Sequence, residues 1–264
     1  MDLLNTIQAE NLWQTIRNET GAAVNSEPIL ASFLHLTVLR HKSFAHMLAF
    51  HLSSKMSSAV MDARALFEIY LEALQENSSI LNAALADIVA YYQRDPACET
   101  YSLPLLYYKG FHAIQTHRIN HWLWQQRRHT LAYFLQNRAS EVFGVDIHPA
   151  ASLGYGIMID HGTGVVIGET AILGNNISLL HGVTLGGSGK QTGDRHPKIS
   201  DGVMIGANAS VLGNIRVNTC AKIGAGSVVV EDVPQYSTVV GVPAKVISKD
   251  VKCETPAQEM DQRI

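Results

Sequence analysis

The sequence predicts an α+β chain of two unlike halves, an α-helical N-terminal domain followed by a parallel β-helix of hexapeptide repeats. Three observations carry that prediction. Up to about residue 140, apolar residues recur at the three- and four-residue spacing of amphipathic helices. Beyond Val145 an aliphatic residue returns at every sixth position, a period that belongs neither to a helix nor to a single strand. Glycine and β-branched residues rise at the same boundary.

In the helical half, Ser26-Glu27-Pro28 reads as an N-cap with proline in the first turn. Leu30, Phe33, Leu34 and Val38 follow at helical spacing, then Phe44 and Leu48. Val60 to Leu74 and Ile80 to Tyr92 repeat the pattern, and Leu103 to Phe134 adds aromatics, including Trp122 and Trp124. Such stripes are core or subunit contact and call for no chemistry.

The period of six runs through positions 147, 153, 159 and 165, then, shifted by two, 167, 173, 179 and 185, then 199 to 229 in six steps. All of these are Ile, Leu or Val. A six-residue unit is one short strand plus a turn; three units close a triangular coil, and stacked coils pair as parallel strands. Each anchor points into the prism, where only an aliphatic side chain leaves no polar group unsatisfied. Small or β-branched residues four positions later, such as Ala151, Ala171 and Ala209, make room for it. Glycines directly after anchors, as in Ile167-Gly168 and Ile205-Gly206, suit turns of positive φ. Between Leu185 and Ile199 the step is 14, six plus an insertion of eight, and the inserted "GGSGKQTGDRHPK" is the loop near which a site is expected.

Composition excludes several classes. Twenty Lys and Arg against 23 Asp and Glu leave a net charge of −3, no global footprint for nucleic acid. No run approaches the roughly eighteen apolar residues of a spanning helix. The start, MDLLNTIQAENLW, lacks the basic and apolar regions of a signal peptide. A cytoplasmic protein without nucleic-acid or membrane partners is expected. Cys98, Cys220 and Cys253 are far apart and lack CxxC spacing, which fits neither a disulfide framework nor a zinc site.

Polar residues break the apolar rhythm at a few places. His161 and His181 each stand two residues after an anchor and 20 apart, one 18-residue coil plus the shift of two, which puts them on neighbouring coils. Asp146 precedes His161 by 15 residues, so an Asp–His contact is feasible. Asp160 adjoins His161, and Arg195-His196 sits in the inserted loop. Most of the twelve histidines are expected to be solvated or singly hydrogen-bonded. His161, with carboxylates on both sides of it in the fold, reads as a general base.

"VDIHPAASLGYGIMIDHGTGVVIGET", "GVTLGGSGK", "GDRHPKI", "GVPAKVI" and the helical "RDPACETYSLPLLYYKGFHAIQTHRINHWLW" together resemble the serine O-acetyltransferases, hexapeptide-repeat enzymes that open cysteine biosynthesis. The likeness covers nearly the whole chain. It implies a left-handed β-helix over residues 141–247 behind a helical domain, 1–140, that serves oligomerisation and contributes to substrate binding, with a flexible tail, 248–264. It implies a homotrimer or a dimer of trimers, a hexamer, with active sites between neighbouring β-helices. The implied reaction is acetyl transfer from acetyl-CoA, a co-substrate rather than a tightly bound cofactor, to the L-serine hydroxyl, with L-cysteine as inhibitor.

Carried over residue by residue, His161 matches the family's general base and Asp146 the carboxylate that orients it. Asp95 and Asp160 match holders of the substrate ammonium, Arg195 the guanidinium for its carboxylate, and His196 a positioning imidazole. Asp95, before Pro96, also reads as a helix N-cap. The pantetheine arm of the co-substrate is expected to run past Gly187, Ala207 and Ala225, with Lys222 and Lys245 near its phosphates, and the Gly187 amide is the expected oxyanion donor. The terminal Ile264 matches the residue that relatives insert into O-acetylserine sulfhydrylase. Three other readings stay open: acetyl transfer to another acceptor, a β-helical metal-dependent lyase using His161, His181 and either His148 or His196, and a scaffold without catalysis.

Overall fold

A computed structural model describes residues 3–190, 192–249 and 255–263. The helical half comprises α1 (Thr6–Ser26), α2 (Ala31–Leu34), α3 (Phe44–Met56), α4 (Ala63–Glu76), α5 (Ser78–Arg94), α6 (Ser102–Tyr107), α7 (Lys109–Gln125) and α8 (His129–Phe143). Side-chain caps start several of them. Asn5 and Gln8 form a capping box on α1, Asp62 accepts from the Arg64 and Ala65 amides at α4, and Gly144, at φ 66°, closes α8 in the left-handed conformation.

One expected helix start is different. Ser26 is the last residue of α1, and its hydroxyl donates back to the Ala23 carbonyl. Pro28 opens a 3₁₀ turn, Pro28–Leu30, and after α2 the chain widens into a π-helix, His35–Leu39. Proline lacks the amide that would continue α1, and the change of winding rotates the apolar stripe. Leu34 and Val38 are buried, while Leu30 and Phe33 face outward.

The second half is a triangular prism of stacked coils. The first coil holds β1 (Val145–Ile147), β2 (Ser152–Leu153) and β3 (Met158–Ile159); the second β4 (Val165–Ile167), β5 (Ile172–Leu173) and β6 (Ser178–Leu179). The third holds β7 (Thr184–Gly186), β8 (Lys198–Ile199) and β9 (Met204–Ile205); the fourth β10 (Ser210–Leu212), β11 (Arg216–Val217) and β12 (Lys222–Ile223). β13 (Val228–Val229), β14 (Ser237–Gly241) and β15 (Ala244–Lys249) finish the domain. These strands build a first face β1-β4-β7-β10-β13, a second face β2-β5-β8-β11 and a third face β3-β6-β9-β12-β14-β15. All pairs are parallel except β14–β15. Every hexad anchor except the half-buried Leu153 lies in the core.

The register confirms both breaks in the period. Ile147 pairs with Ile167, 20 residues on, and Ile172 with Lys198, 26 on, against 18 for Val166 with Thr184. Glycines after anchors serve another purpose than the expected turns. Gly206 is flush with the next coil, where a Cβ would stand 2.6 Å from the Ala225 nitrogen.

The first coil has no coil beneath it, and helix side chains take its place. Asp87 accepts from the Ile157 amide, His117 meets the Ala151 carbonyl, His121 the Pro149 carbonyl, and Arg94 donates to Gly156. Asp87 is fully buried and also holds Arg118 at 2.7 Å. Against the expectation of a free polar tail, residues 255–263 rest on the third face. They include α9 (Pro256–Glu259), with Ala257 buried and its carbonyl accepting from Ser178 at 2.7 Å. The call on Ile264 lies outside the described residues. Among the described residues no single helix is long and apolar enough to cross a membrane.

Candidate active site

The corner that leads from the third face to the first carries His161. Anchors Ile159 and Ile167 are eight residues apart there, whereas their coil neighbours Leu179 and Leu185 are six apart. The two extra residues make a tight turn closed by the Gly162 amide on the Asp160 carbonyl at 2.6 Å. His161 and Gly162 adopt positive φ in succession, 57° and 77°. For histidine that conformation costs roughly 1–2 kcal/mol. It throws the imidazole outward, 76% exposed, with Nε2 3.8 Å from an Asp160 carboxylate oxygen. The His181 ring stands 6.0 Å away on the next coil, as the spacing predicts.

A cavity of about 510 Å³ opens beside this turn, walled by Asp95, Tyr108, Lys109, Asp160 and His161 among others. Asp95 follows the last residue of α5 and caps a turn, accepting from the Ala97 amide at 2.8 Å; it ends a helix rather than starting one. The Tyr108 hydroxyl lies within hydrogen-bond reach of Asp95 and Cys98. Burial first, then the Cys98 thiol and Asp95, pushes that hydroxyl above its ordinary range. Burial and the Asp95 charge push the Cys98 thiol up to about 11, so it stays protonated.

The corner from the first face to the second gathers the other expected group. Arg195 Nη2 donates to Glu169 at 2.7 Å, and its Nη1 donates to the Gly193 carbonyl. That hydrogen bond holds the Glu169 carboxyl below its usual range, so the pair stays charged. Thr170 Oγ1 accepts from the Arg195 and His196 amides. The His196 Nδ1 accepts from the Thr170 amide at 3.2 Å and lies 2.9 Å from its hydroxyl, which leaves the ring proton on Nε2. His196 is 7% exposed; burial, then the Arg195 charge, lowers its pKa and keeps it neutral.

Asp146 sits midway along the first face, opposite Val166, and accepts from Gln136 Nε2 at 2.7 Å. Among the described residues no hydrogen bond joins it to His161. The coil at this level is 20 residues, so the residue stacked on Asp146 is Val166, and 15 residues fall short by most of a corner. Of the residues expected along the pantetheine arm, Ala207 and Ala225 stack at the His161 corner, where the Gly226 amide meets the Ala207 carbonyl. Gly187 instead adjoins Arg195, 3.6 Å from its Cγ for a Cβ placed there. Lys222, on the third face, donates to the Arg263 carbonyl of the docked tail rather than standing free. Lys245 is exposed and 3.6 Å from Glu231. His148 and His196 belong to the Arg195 corner, away from His161 and His181.

Sequence reasoning missed Glu169 and Thr170. They precede Arg195 and His196 by 26 residues, the length of the one coil that holds the insertion, so counting by that coil would have found them.

Residues 12–116 match the family model described as serine acetyltransferase, N-terminal. The serine acetyltransferase of Haemophilus influenzae is 54% identical over 96% of this chain and 94% of its own length, and that of Escherichia coli K12 51% over 97% and 93%. Among solved structures, a Neisseria gonorrhoeae serine acetyltransferase in complex with serine is 70% identical, with a TM-score of 0.87 over 89% of this chain and 96% of that one. A serine acetyltransferase in complex with cysteine superposes with a TM-score of 0.95 at 53% identity, over 97% and 99%. The Brucella abortus enzyme in complex with coenzyme A gives 0.89 at 48%, over 90% and 96%.

Proposed function

The chain belongs to the serine acetyltransferase family and moves the acetyl group of acetyl-CoA to the hydroxyl of L-serine, and from that premise we propose which residues perform the transfer. The products are O-acetylserine and CoA, the first step from serine toward cysteine. His161 is the general base. Its imidazole takes the proton of the serine hydroxyl as that oxygen attacks the thioester carbonyl. The tetrahedral intermediate collapses with cleavage of the C–S bond, and the imidazolium returns its proton to the departing thiolate. The Gly187 amide donates to the oxyanion.

Asp95 and Asp160, on the cavity wall beside His161, hold the serine ammonium group. Arg195, its guanidinium oriented by Glu169, takes the carboxylate, and His196 donates from Nε2 to position the substrate. Asp146 orients the base. The observation that carries this reading is the division of the group. Ammonium holders and base occupy one corner of the prism, whereas the carboxylate holder occupies another, and Ala207 and Ala225 are split from Gly187 in the same way. Each corner is half a site, and a neighbouring copy supplies the other half along the seam of a trimer.

The rest of the reading follows the relatives. L-cysteine, which differs from serine by sulfur for oxygen, occupies the serine site as an inhibitor, as the cysteine complex of a relative supports. Two trimers pair through the helical domain, 1–140, behind the catalytic prism, 141–247, in the cytoplasm. The tail, 248–264, presents Ile264 to O-acetylserine sulfhydrylase. The test follows CoA thiol release with L-serine and with other hydroxyl acceptors, for the wild type and His161→Ala. Loss of the serine-dependent signal in the variant is expected. Equal rates in both proteins, or a preferred acceptor other than serine, would overturn the assignment.

A further inference from the structure

We propose that the helical domain clamps the His161 turn from both sides, with Tyr91 and Lys109 as positioning residues for acetyl transfer. The proposal rests on His161 being the base. Its starting point is the backbone of that turn: two left-handed residues in succession, one of them not glycine, persist only where the surroundings over-determine them.

On the upstream side the anchor is Tyr91 of α5. Its hydroxyl accepts from the Ile159 amide at 3.0 Å and donates to the Ile159 carbonyl at 2.9 Å. Ile159 lies in the first coil, so these two groups point to where a preceding coil would be, and one phenol satisfies both. Tyr91 is 1% exposed, and burial holds its hydroxyl well above the ordinary range, so it keeps the proton it donates. On the downstream side, Lys109 at the start of α7 donates from Nζ to Thr163 Oγ1.

Gly110 lets the start of α7 come this close. A Cβ there would stand 2.1 Å from the Ile159 carbonyl oxygen, and one on Gly162 would stand 3.4 Å from the Gly110 Cα. The turn is thus held at residues 159 and 163, with His161 midway between the two grips. A general base must meet its proton within hydrogen-bond distance, and displacement by about 1 Å costs on the order of a hundredfold in rate. The helical domain therefore sets the base as well as contributing Asp95.

The test is steady-state kinetics of the full-length enzyme with L-serine and acetyl-CoA, each variant checked for unchanged assembly and melting. Tyr91→Phe, which keeps the ring and removes both hydrogen bonds, is expected to lower kcat about tenfold or more with both KM values within about twofold. Lys109→Met is expected to do the same and Lys109→Arg to restore the rate. Thr163→Ala should reproduce Lys109→Met, with the double variant no slower than either, because the two side chains act as one contact.

A Lys109→Met enzyme whose KM for serine rises while Thr163→Ala stays normal would show that the ammonium holds substrate, and would overturn the clamp. Wild-type kcat in Tyr91→Phe and Lys109→Met would overturn it too. Lys109 and Thr163 lie at the surface, so those variants decide the matter if Tyr91→Phe does not fold. His161→Ala assayed alongside separates the two readings. Inactive His161→Ala with fully active clamp variants sinks the clamp alone, whereas active His161→Ala sinks the base assignment beneath it.

Discussion

The His196 imidazole lies flat across Gly168, so close that a Cβ built on that glycine would stand 2.1 Å from its Cδ2 and Nε2. Gly168 keeps an ordinary backbone φ, so alanine fits the chain there and only the ring must move. Gly168→Ala is expected to keep the melting temperature within a few degrees while kcat/KM for serine falls by about tenfold to a hundredfold. Thermal melts beside initial rates check this, and an unchanged kcat/KM would mean that His196 does not touch substrate.

Division of the site between two corners makes a prediction about mixtures. His161→Ala and Arg195→Ala should each be inactive. Co-assembled in equal amounts, they should regain about a quarter of the wild-type rate, since random cyclic assembly joins an intact His161 corner to an intact Arg195 corner at one seam in four. Co-expression with two affinity tags and an assay of the doubly purified protein reads the outcome. No recovery would place the whole site in one chain.

Much of this was legible in the sequence because the prism repeats. An inward side chain is fixed at every sixth residue, so the anchors, the shift of two and the insertion of eight could all be counted, and the register bears out each count. Neighbouring-coil histidines followed from the same arithmetic. Contacts across coils of unequal length were harder. Asp146 was matched to His161 on a coil of about 15, but its coil is 20, and Val166 takes the place above it. Glu169 and Thr170 were invisible for the same reason. In the helical half, no residue pattern announces a 3₁₀ turn running into a π-helix, so Leu30 and Phe33 were expected inside and lie outside.

Buried neutral histidines make stability depend on pH. Burial, then the nearby Lys55 charge, pushes His51 down to about 3, and His112 and His117 lie well below their ordinary value for the same first reason. In the unfolded chain these imidazoles take up protons near pH 6.5. Their folded pKa is depressed, so their contribution is complete above about 6.5 and is lost as pH falls toward about 3. The melting temperature should fall steadily between those limits, and His51→Leu should make the fall shallower by about one proton's worth. Parallel slopes for the two proteins would contradict the burial of a neutral His51.

Asp87 ties α5 to α7 and to the first coil, with its oxygens accepting from Gln115, Arg118 and the Ile157 amide. Asp87→Asn leaves the Arg118 guanidinium buried without its counter-charge, at a cost of about 3–5 kcal/mol. Adding Arg118→Met should recover much of that loss, because a matched apolar pair leaves no buried charge. Urea unfolding of the single and double variants measures both, and additive losses would count against a charge-pair account.

A stack of parallel coils has a growth problem, because each exposed rim offers amides and carbonyls in register for one more layer, foreign or its own. Here the lower rim is quenched by aspartate, histidine, arginine and tyrosine side chains, and at the upper rim of the third face β15 runs backwards, with a register shift at Thr238/Val239. Neither edge matches another molecule's edge. The chain thereby sets its own number of layers, and a solenoid that might otherwise string into fibres stays a discrete particle.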